Sequence, residues 1–150
     1  MMVTQFKIFL LIIALLSPTV IFAHKVTLED KSLEEIVNNR MALMQKIKGI
    51  SSQISKLLQS DDYDTIIELN NTLLNSAKEF KGAFPEGTQY KTASDEIWND
   101  RDSFNEYIDK FINDIEMIGM SIELEDNEMF NSSFKEMAAN CGSCHKKFKN

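Results

Sequence analysis

Apolar residues recur at intervals of three and four along most of the chain, and this spacing constrains the fold more than any other feature. Because an α-helix turns once every 3.6 residues, such spacing gathers apolar side chains on one face of a helix. Gly and Pro are rare, and the alternating β-branched runs that indicate strands are lacking. We therefore predict an all-α fold, an antiparallel up-down four-helix bundle. The predicted helices span about 28–58, 62–82, 94–122 and 129–148, with a break at the acidic stretch 123–126.

Polar residues at the starts of these stretches support the predicted boundaries. Ser32 followed by Glu35 is a capping-box pattern for the first helix, and a start at Asp30 is the alternative. Asp61-Asp62 can cap the second helix. Ser94, with acidic residues directly after it, can open the third, which is predicted to run unbroken.

The first 23 residues have the layout of a secretory signal peptide. One basic residue, Lys7, precedes an apolar run over Ile8–Leu16, and a small residue, Ala23, stands where cleavage is expected. The run is too short for a comfortable membrane span, so an uncleaved anchor is the weaker interpretation. We predict a signal peptide at 1–23 and a mature domain at 24–150 that is exported to the periplasm.

The chain is acidic, with 16 basic and 23 acidic residues and a formal net charge of −7. This charge argues against a nucleic-acid partner, because the phosphate backbone attracts basic surfaces. It is compatible with solubility and with basic partner proteins. Paired catalytic carboxylates, a Ser–His–Asp arrangement and a phosphate-binding glycine loop are not recognisable in the sequence. The sequence therefore predicts a protein that is not an enzyme.

Both cysteines of the chain lie in the sequence Cys141-Gly142-Ser143-Cys144-His145. This C-x-x-C-H spacing is the attachment signature of a c-type haem. Positions i, i+3 and i+4 of a helix share one face, so two thiols can bond the vinyl groups at one edge of the ring while the imidazole reaches the iron. We predict one covalently bound haem c, with Cys141 and Cys144 as thioether residues and His145 as the proximal iron ligand.

Three other interpretations of the cysteine pair are weaker. A thiol-redox pair would follow a strand in a βαβ unit, and no such pattern is visible. A structural zinc site needs four ligands, whereas only three candidates cluster here. A disulfide between Cys141 and Cys144 within a helix would be strained.

Several short motifs, taken in their order, resemble the cytochrome c′ family of four-helix-bundle c-type cytochromes. Glu35–Met44 is similar to the family's first helix, in which an Arg precedes the distal haem residue by four positions. Ala83–Thr88 resembles the family's Phe-Gly-Pro-Gly-Thr turn, and Ile97-Trp98 with Ser103-Phe104 resembles its third helix. The closing CGSCHKKF matches the family's terminal pattern. The resemblance extends over the whole predicted mature domain.

The resemblance implies a role for each matching residue. Arg40 would bind a haem propionate through its planar fork of donors. Met44 would face the distal side of the iron, and Phe84 would pack at the haem edge. Lys149 stands where the family commonly has an Arg, so the proximal role of that Arg is not implied here. Phe84 also precedes Pro85 directly, whereas the family often has a Gly between them.

The resemblance also implies a function. The first interpretation is a periplasmic haem protein that acts in electron transfer or binds nitric oxide and other diatomic gases. In that interpretation the iron is five-coordinate with His145 as its ligand, and the apolar distal face at Met44 offers no obvious hydrogen-bond donor. The alternative is a low-spin electron carrier with Met44 as the sixth ligand. The implied partners are small redox proteins, diatomic gases and a second copy bound through the first two helices.

Overall fold

A computed structural model describes residues 32–57, 60, 62–90 and 92–150 of the protein. The predicted signal peptide and the predicted starts at Asp30 and Asp61 lie outside the described residues. Within that part of the chain the regular structure is helical, apart from one isolated bridge between Ala93 and Lys149. The helices are α1 (Leu33–Leu57), α2 (Tyr63–Lys81), α3 (Glu96–Asn99), α4 (Arg101–Glu123) and α5 (Asn127–Phe148).

The long helices begin at short polar residues, whose side chains cap the first turn. The Ser32 hydroxyl accepts a hydrogen bond from the Glu35 amide at 3.2 Å, which confirms the predicted cap of α1. Asp62 accepts from the Thr65 amide at 3.2 Å at the start of α2. These oxygens satisfy amides that have no partner inside the helix.

The predicted third helix is divided at Asp100, so the prediction of an unbroken helix from Ser94 is wrong. The backbone of Asp100 leaves the helical region (φ −125°, ψ 58°), and its carboxylate accepts a hydrogen bond from the Ser103 amide at 3.4 Å. Asp competes with helix continuation in this way because its short side chain can bond nearby amides. The single turn α3 thus precedes α4, and the four long helices form the bundle.

The connection between α4 and α5 is a tight reversal at the break predicted around 123–126. Glu125 has a left-handed backbone (φ 55°), and the amide of Asp126 donates to the Ser121 carbonyl at 2.9 Å. This is the geometry that commonly ends a helix, although glycine usually holds the left-handed position. Asp126 then caps α5 by accepting from the Met129 amide at 2.9 Å.

The long helices pack as neighbours in the order α1, α2, α4, α5. Their facing sides bury one continuous apolar core, whose residues with the lowest exposure are Ile54, Ile66, Leu73, Ala77, Ile115, Ile118 and Met137. The pair α1 and α5, which would close the ring of helices, makes few direct contacts, and a cavity lies between them. None of the described helices is long and apolar enough to cross a membrane.

Candidate functional site

The cavity between α1 and α5 has a volume of about 630 Å³, within the range of ordinary ligand and cofactor sites. The aromatic face of α4 forms its floor through Phe104, Tyr107 and Phe111. One long wall belongs to α1 and the other to α5. A flat group inserted here would have one helix against each of its faces.

The wall on α5 carries the predicted attachment trio. Cys141, Cys144 and His145 all line the cavity, and both cysteines are half-buried free thiols. Burial raises the pKa of the Cys144 thiol to about 11, and burial also raises the pKa of Cys141, with a smaller contribution from the negative charge of Asp114. Burial, and then the positive charge of Lys149, lower the pKa of His145, which favours the neutral imidazole that can ligate a metal.

The wall on α1 carries Arg40 and Met44, both predicted from the sequence to belong to the site. Met44 is half-buried and packs against the core. The same wall includes Lys48 and Ser51, which the sequence reasoning did not identify. The Ser51 hydroxyl is buried and has no hydrogen-bond partner among the described residues. The wall is therefore less apolar than the sequence predicted. Lys48 and Ser51 follow Met44 by four and seven positions, and this helical spacing is the only sequence signal that places them on the same wall.

Arg40 is buried, with 5% of its surface exposed, and its guanidinium contacts the turn after α2. One terminal nitrogen donates to the Ala83 carbonyl at 3.4 Å and to the Thr88 hydroxyl at 3.3 Å, and the other donates to the Thr88 carbonyl at 3.0 Å. The guanidinium carbon lies 4.6 Å from the centroid of the Phe84 ring. None of these partners is an anion, so Arg40 is a buried cation without a carboxylate partner in the described part of the chain. Burial lowers its pKa accordingly.

The turn that Arg40 contacts is fixed by further hydrogen bonds. The Pro85 carbonyl accepts from the Thr88 hydroxyl at 2.7 Å and from the Trp98 indole at 3.2 Å, and the Phe84 carbonyl accepts from Arg101 at 2.7 Å. Gly87 supplies the left-handed backbone (φ 81°) that the reversal requires. The turn closes without a Gly before Pro85.

The ring of Phe84 lines the cavity from within an aromatic cluster. It meets Phe80 and Phe104 edge to face, with ring centroids 5.0 and 4.8 Å apart. Phe84 is buried, so its position is set by these contacts and by the turn. The predicted haem-edge residue therefore lies at the cavity, within the aromatic cluster.

The segment after His145 is anchored by hydrogen bonds to the loop before α3 and to Asp100 after it. The Phe148 carbonyl accepts from the Ser94 amide at 3.1 Å, and the Asn150 amide donates to the Thr92 carbonyl at 3.0 Å. The Lys147 ammonium donates to Asp100 at 2.7 Å. Lys149 lies between Phe148 and Asn150, and its side chain is exposed and lines the cavity. The last turn of α5 is thereby held against the loop before α3.

The residues around the cavity fit a haem. The ring is flat and largely apolar, as is the slot between α1 and α5, and the thiols and imidazole on one wall match covalent attachment and axial ligation. The charged residues among the described lining are all cationic: Arg40, Lys48 and Lys149. Cations suit the two propionates of haem, and the buried Arg40 has no anionic partner among the residues that the structure describes.

A family model described as cytochrome c′ matches residues 35–149, which is most of the chain. The chain belongs to the cytochrome c′ family. Cytochrome c-556 of Agrobacterium tumefaciens (strain B2A) is 25% identical over 117 residues, covering 75% of this chain and 95% of that protein. The family resemblance predicted from the sequence is thus confirmed.

Solved structures of cytochromes c′ share the fold. One cytochrome c′ structure is 20% identical and matches with a TM-score of 0.76 over 80% of this chain and 98% of its own. A ferrous Arg-to-Lys variant of cytochrome c′ from Alcaligenes xylosoxidans with bound NO is 21% identical and matches with a TM-score of 0.74 over 79% of this chain and 96% of its own. These matches confirm the predicted four-helix bundle.

Membership of the cytochrome c′ family also identifies the cofactor. The family binds haem c, and the two cysteines of this chain are consistent with attachment through the C-x-x-C-H motif. This chain is therefore a haem c protein. Proteins of the family are haem electron carriers and gas binders rather than typical enzymes.

Proposed function

We propose that this cytochrome c′ binds nitric oxide and other diatomic gases at a five-coordinate haem iron. The observation that carries the proposal is the placement of Met44 and His145 on opposite walls of one cavity. A single strong ligand comes from α5, and the facing wall presents a half-buried apolar side chain. The NO-bound relative from Alcaligenes xylosoxidans supports the choice of ligand.

Each residue on the α5 wall has a distinct task in this proposal. Cys141 and Cys144 would hold the ring through thioether bonds, each S–H adding across one vinyl group so that sulfur bonds one carbon and hydrogen the neighbouring carbon. His145 would ligate the iron from the same wall, as a neutral imidazole. The bound haem supplies an iron that changes oxidation state by one electron and accepts a small axial ligand.

The α1 wall limits what can approach the distal side. Met44 occupies the space opposite His145 and offers neither an N–H nor an O–H donor. Arg40, at the end of the wall near the turn, would bind a propionate through its planar guanidinium. Phe84 closes the cavity beside it, and Lys149 adds positive charge at the opening.

The predicted signal peptide and the C-x-x-C-H motif support a periplasmic location. The proposed partners are diatomic gases and small redox proteins, since the family includes electron carriers. A second copy bound through α1 and α2 is also proposed, and Ile67 supports it because 38% of this apolar side chain on α2 is exposed. Sedimentation of the wild type and of Ile67→Lys tests the pairing.

The state of Met44 is tested by spectroscopy of the ferric protein and by CO binding to the ferrous protein. The wild type should lack the charge-transfer band of a Met-ligated ferric haem and should bind CO rapidly. Met44→Ala should accelerate CO binding, because it enlarges the space opposite His145. Met120→Leu is the matched control, since this exposed Met on α4 does not contact the cavity.

The same measurements distinguish the alternative function. A Met-sulfur band that is present in the wild type and Met120→Leu, but lost in Met44→Leu, would identify a low-spin electron carrier with Met44 as the sixth ligand. Retention of haem after denaturation of Cys141→Ala/Cys144→Ala would contradict the attachment itself.

A further inference from the structure

One acidic side chain is buried in the described part of the chain. Asp114 on α4 is 4% exposed, whereas every other described Asp or Glu is at least partly open to solvent. Burying a carboxylate is costly unless something compensates for it. Asp114 does not line the haem cavity, so haem binding alone does not explain why it is buried.

Asp114 lies next to the attachment side of the cavity. It follows the lining residues Tyr107 and Phe111 by seven and three positions, which puts it on the same side of α4, about one turn beyond the cavity floor. That side of α4 packs against α5, the helix of Cys141, because the Tyr107 carbonyl accepts a hydrogen bond from Asn140 and the Tyr107 ring meets the Phe148 ring. The negative charge of Asp114 adds, after burial, to the raised pKa of the Cys141 thiol.

The partner of Asp114 lies on its solvent side. The Lys110 ammonium donates to both carboxylate oxygens, at 2.8 and 3.0 Å. The Lys110 side chain is 53% exposed and the Asp114 side chain 5% exposed. Water and salt therefore screen the cation more strongly than the anion. Toward the protein interior, where the effective dielectric constant is low, the negative charge is the one that acts.

We propose that Asp114 is a fixed negative charge that lowers the reduction potential of the haem iron. Ferric haem carries one positive charge more than ferrous haem, so a buried anion at the attachment edge stabilises the ferric form. Asp114 takes no part in the transfer itself, and the electron is exchanged with a redox partner or an electrode. The inference rests on the haem attachment at Cys141 proposed above. The effect on the potential is the same whether the protein binds gases or carries electrons.

The test is the midpoint potential of the purified haem protein, measured by spectroelectrochemistry at pH 8. Asp114→Asn should shift the potential to a more positive value. Glu116→Gln is the matched control, because it removes the same charge from the same helix at an exposed position paired with Lys78. Its shift should be clearly smaller, since solvent screens that charge.

The opposite charge change gives a second, independent measurement. Lys110→Gln leaves the Asp114 carboxylate uncompensated and should shift the potential to a more negative value. Lys78→Gln, which removes the exposed partner of Glu116, is its control. Lys110→Gln retains a side chain that can donate a hydrogen bond to Asp114, so it serves as the test where Asp114→Asn does not fold. The difference between its shift and that of Lys78→Gln then decides.

Two results would overturn the inference. Equal shifts in Asp114→Asn and Glu116→Gln would mean that Asp114 acts only through the overall charge. Equal shifts in Lys110→Gln and Lys78→Gln would mean that the pair of Lys110 and Asp114 acts no more strongly on the iron than an exposed pair does. Haem that separates from the denatured wild-type chain would instead contradict the proposed attachment, so the two failures are distinguishable.

Discussion

Arg40 and Thr88, 48 positions apart in the sequence, are joined by two hydrogen bonds. The bonds connect α1 to the turn that carries Phe84, and both residues are buried. One side chain thus lines the cavity and also fixes the turn that closes it. Any change in this pair should alter the stability of the bundle as well as the shape of the haem site.

Removal of the Thr88 hydroxyl should destabilise the protein. Thr88→Val keeps the shape of the side chain but loses the acceptor for Arg40 and the donor to Pro85. Leaving buried polar groups unpaired costs about 1–3 kcal/mol, so the urea midpoint should fall with an unchanged slope. Thr88→Ser retains the hydroxyl and should lose less. Equal losses in both variants would attribute the effect to packing.

Two glycines in helices should respond to alanine with opposite signs. A Cβ at Gly119 would lie 3.0 Å from the side-chain nitrogen of Asn70, which donates to the Ile115 carbonyl. Gly119→Ala should therefore lower the free energy of unfolding by about 1–3 kcal/mol. A Cβ at Gly49 meets nothing within 4 Å, so Gly49→Ala should raise it by about 0.5–1 kcal/mol. Thermal unfolding of both variants checks the contrast, and a gain in Gly119→Ala would show that Asn70 moves freely.

The left-handed residue between α4 and α5 offers a stabilising change. Glu125 adopts φ 55°, a conformation that disfavours side chains other than those of Gly and Asn. Glu125→Gly should increase the free energy of unfolding by about 0.5–1 kcal/mol, and Glu125→Asn by less. Glu123→Gly, in the last turn of α4, should decrease it. Denaturant unfolding measures all three, and a loss of stability in Glu125→Gly would contradict the assigned strain.

Removal of the haem should loosen the helices unequally. Without covalent haem, Cys141→Ala/Cys144→Ala leaves an apolar slot between α1 and α5, while the contacts between α2 and α4 remain. Hydrogen exchange should therefore accelerate in α1 and α5 more than in α2 and α4. Ser143→Ala, which keeps both cysteines, is the control and should exchange like the wild type. Uniform acceleration in all four long helices would refute this expectation.

The periodicity of apolar residues was enough to predict the bundle, because each long helix buries one stripe. It did not predict the break at Asp100. A short polar residue within a periodic stretch can either face solvent inside one helix or cap the start of a new one. The outcome depends on whether the backbone leaves the helical conformation at that residue. In this protein the Lys147 ammonium also bonds Asp100, a contact made only once α5 has packed.

The part of the candidate site that lies in the C-x-x-C-H motif was predictable from the sequence. The spacing of Cys141, Cys144 and His145 is sufficient to indicate haem, whichever helices surround them. Asp114 and Ser51 could not be identified in this way. Each is an ordinary polar residue on an amphipathic helix, and its burial depends on the angle at which neighbouring helices meet.

The two walls of the haem cavity come from opposite ends of the described sequence, and this bears on the order of folding. Contacts between distant segments form late, because closing a long loop costs more entropy than forming a local turn. Until α1 docks, the thiols on α5 remain open on the side where the ring must enter. A bulky cofactor therefore has easier access to these thiols before α1 docks than in the finished protein, which half covers them.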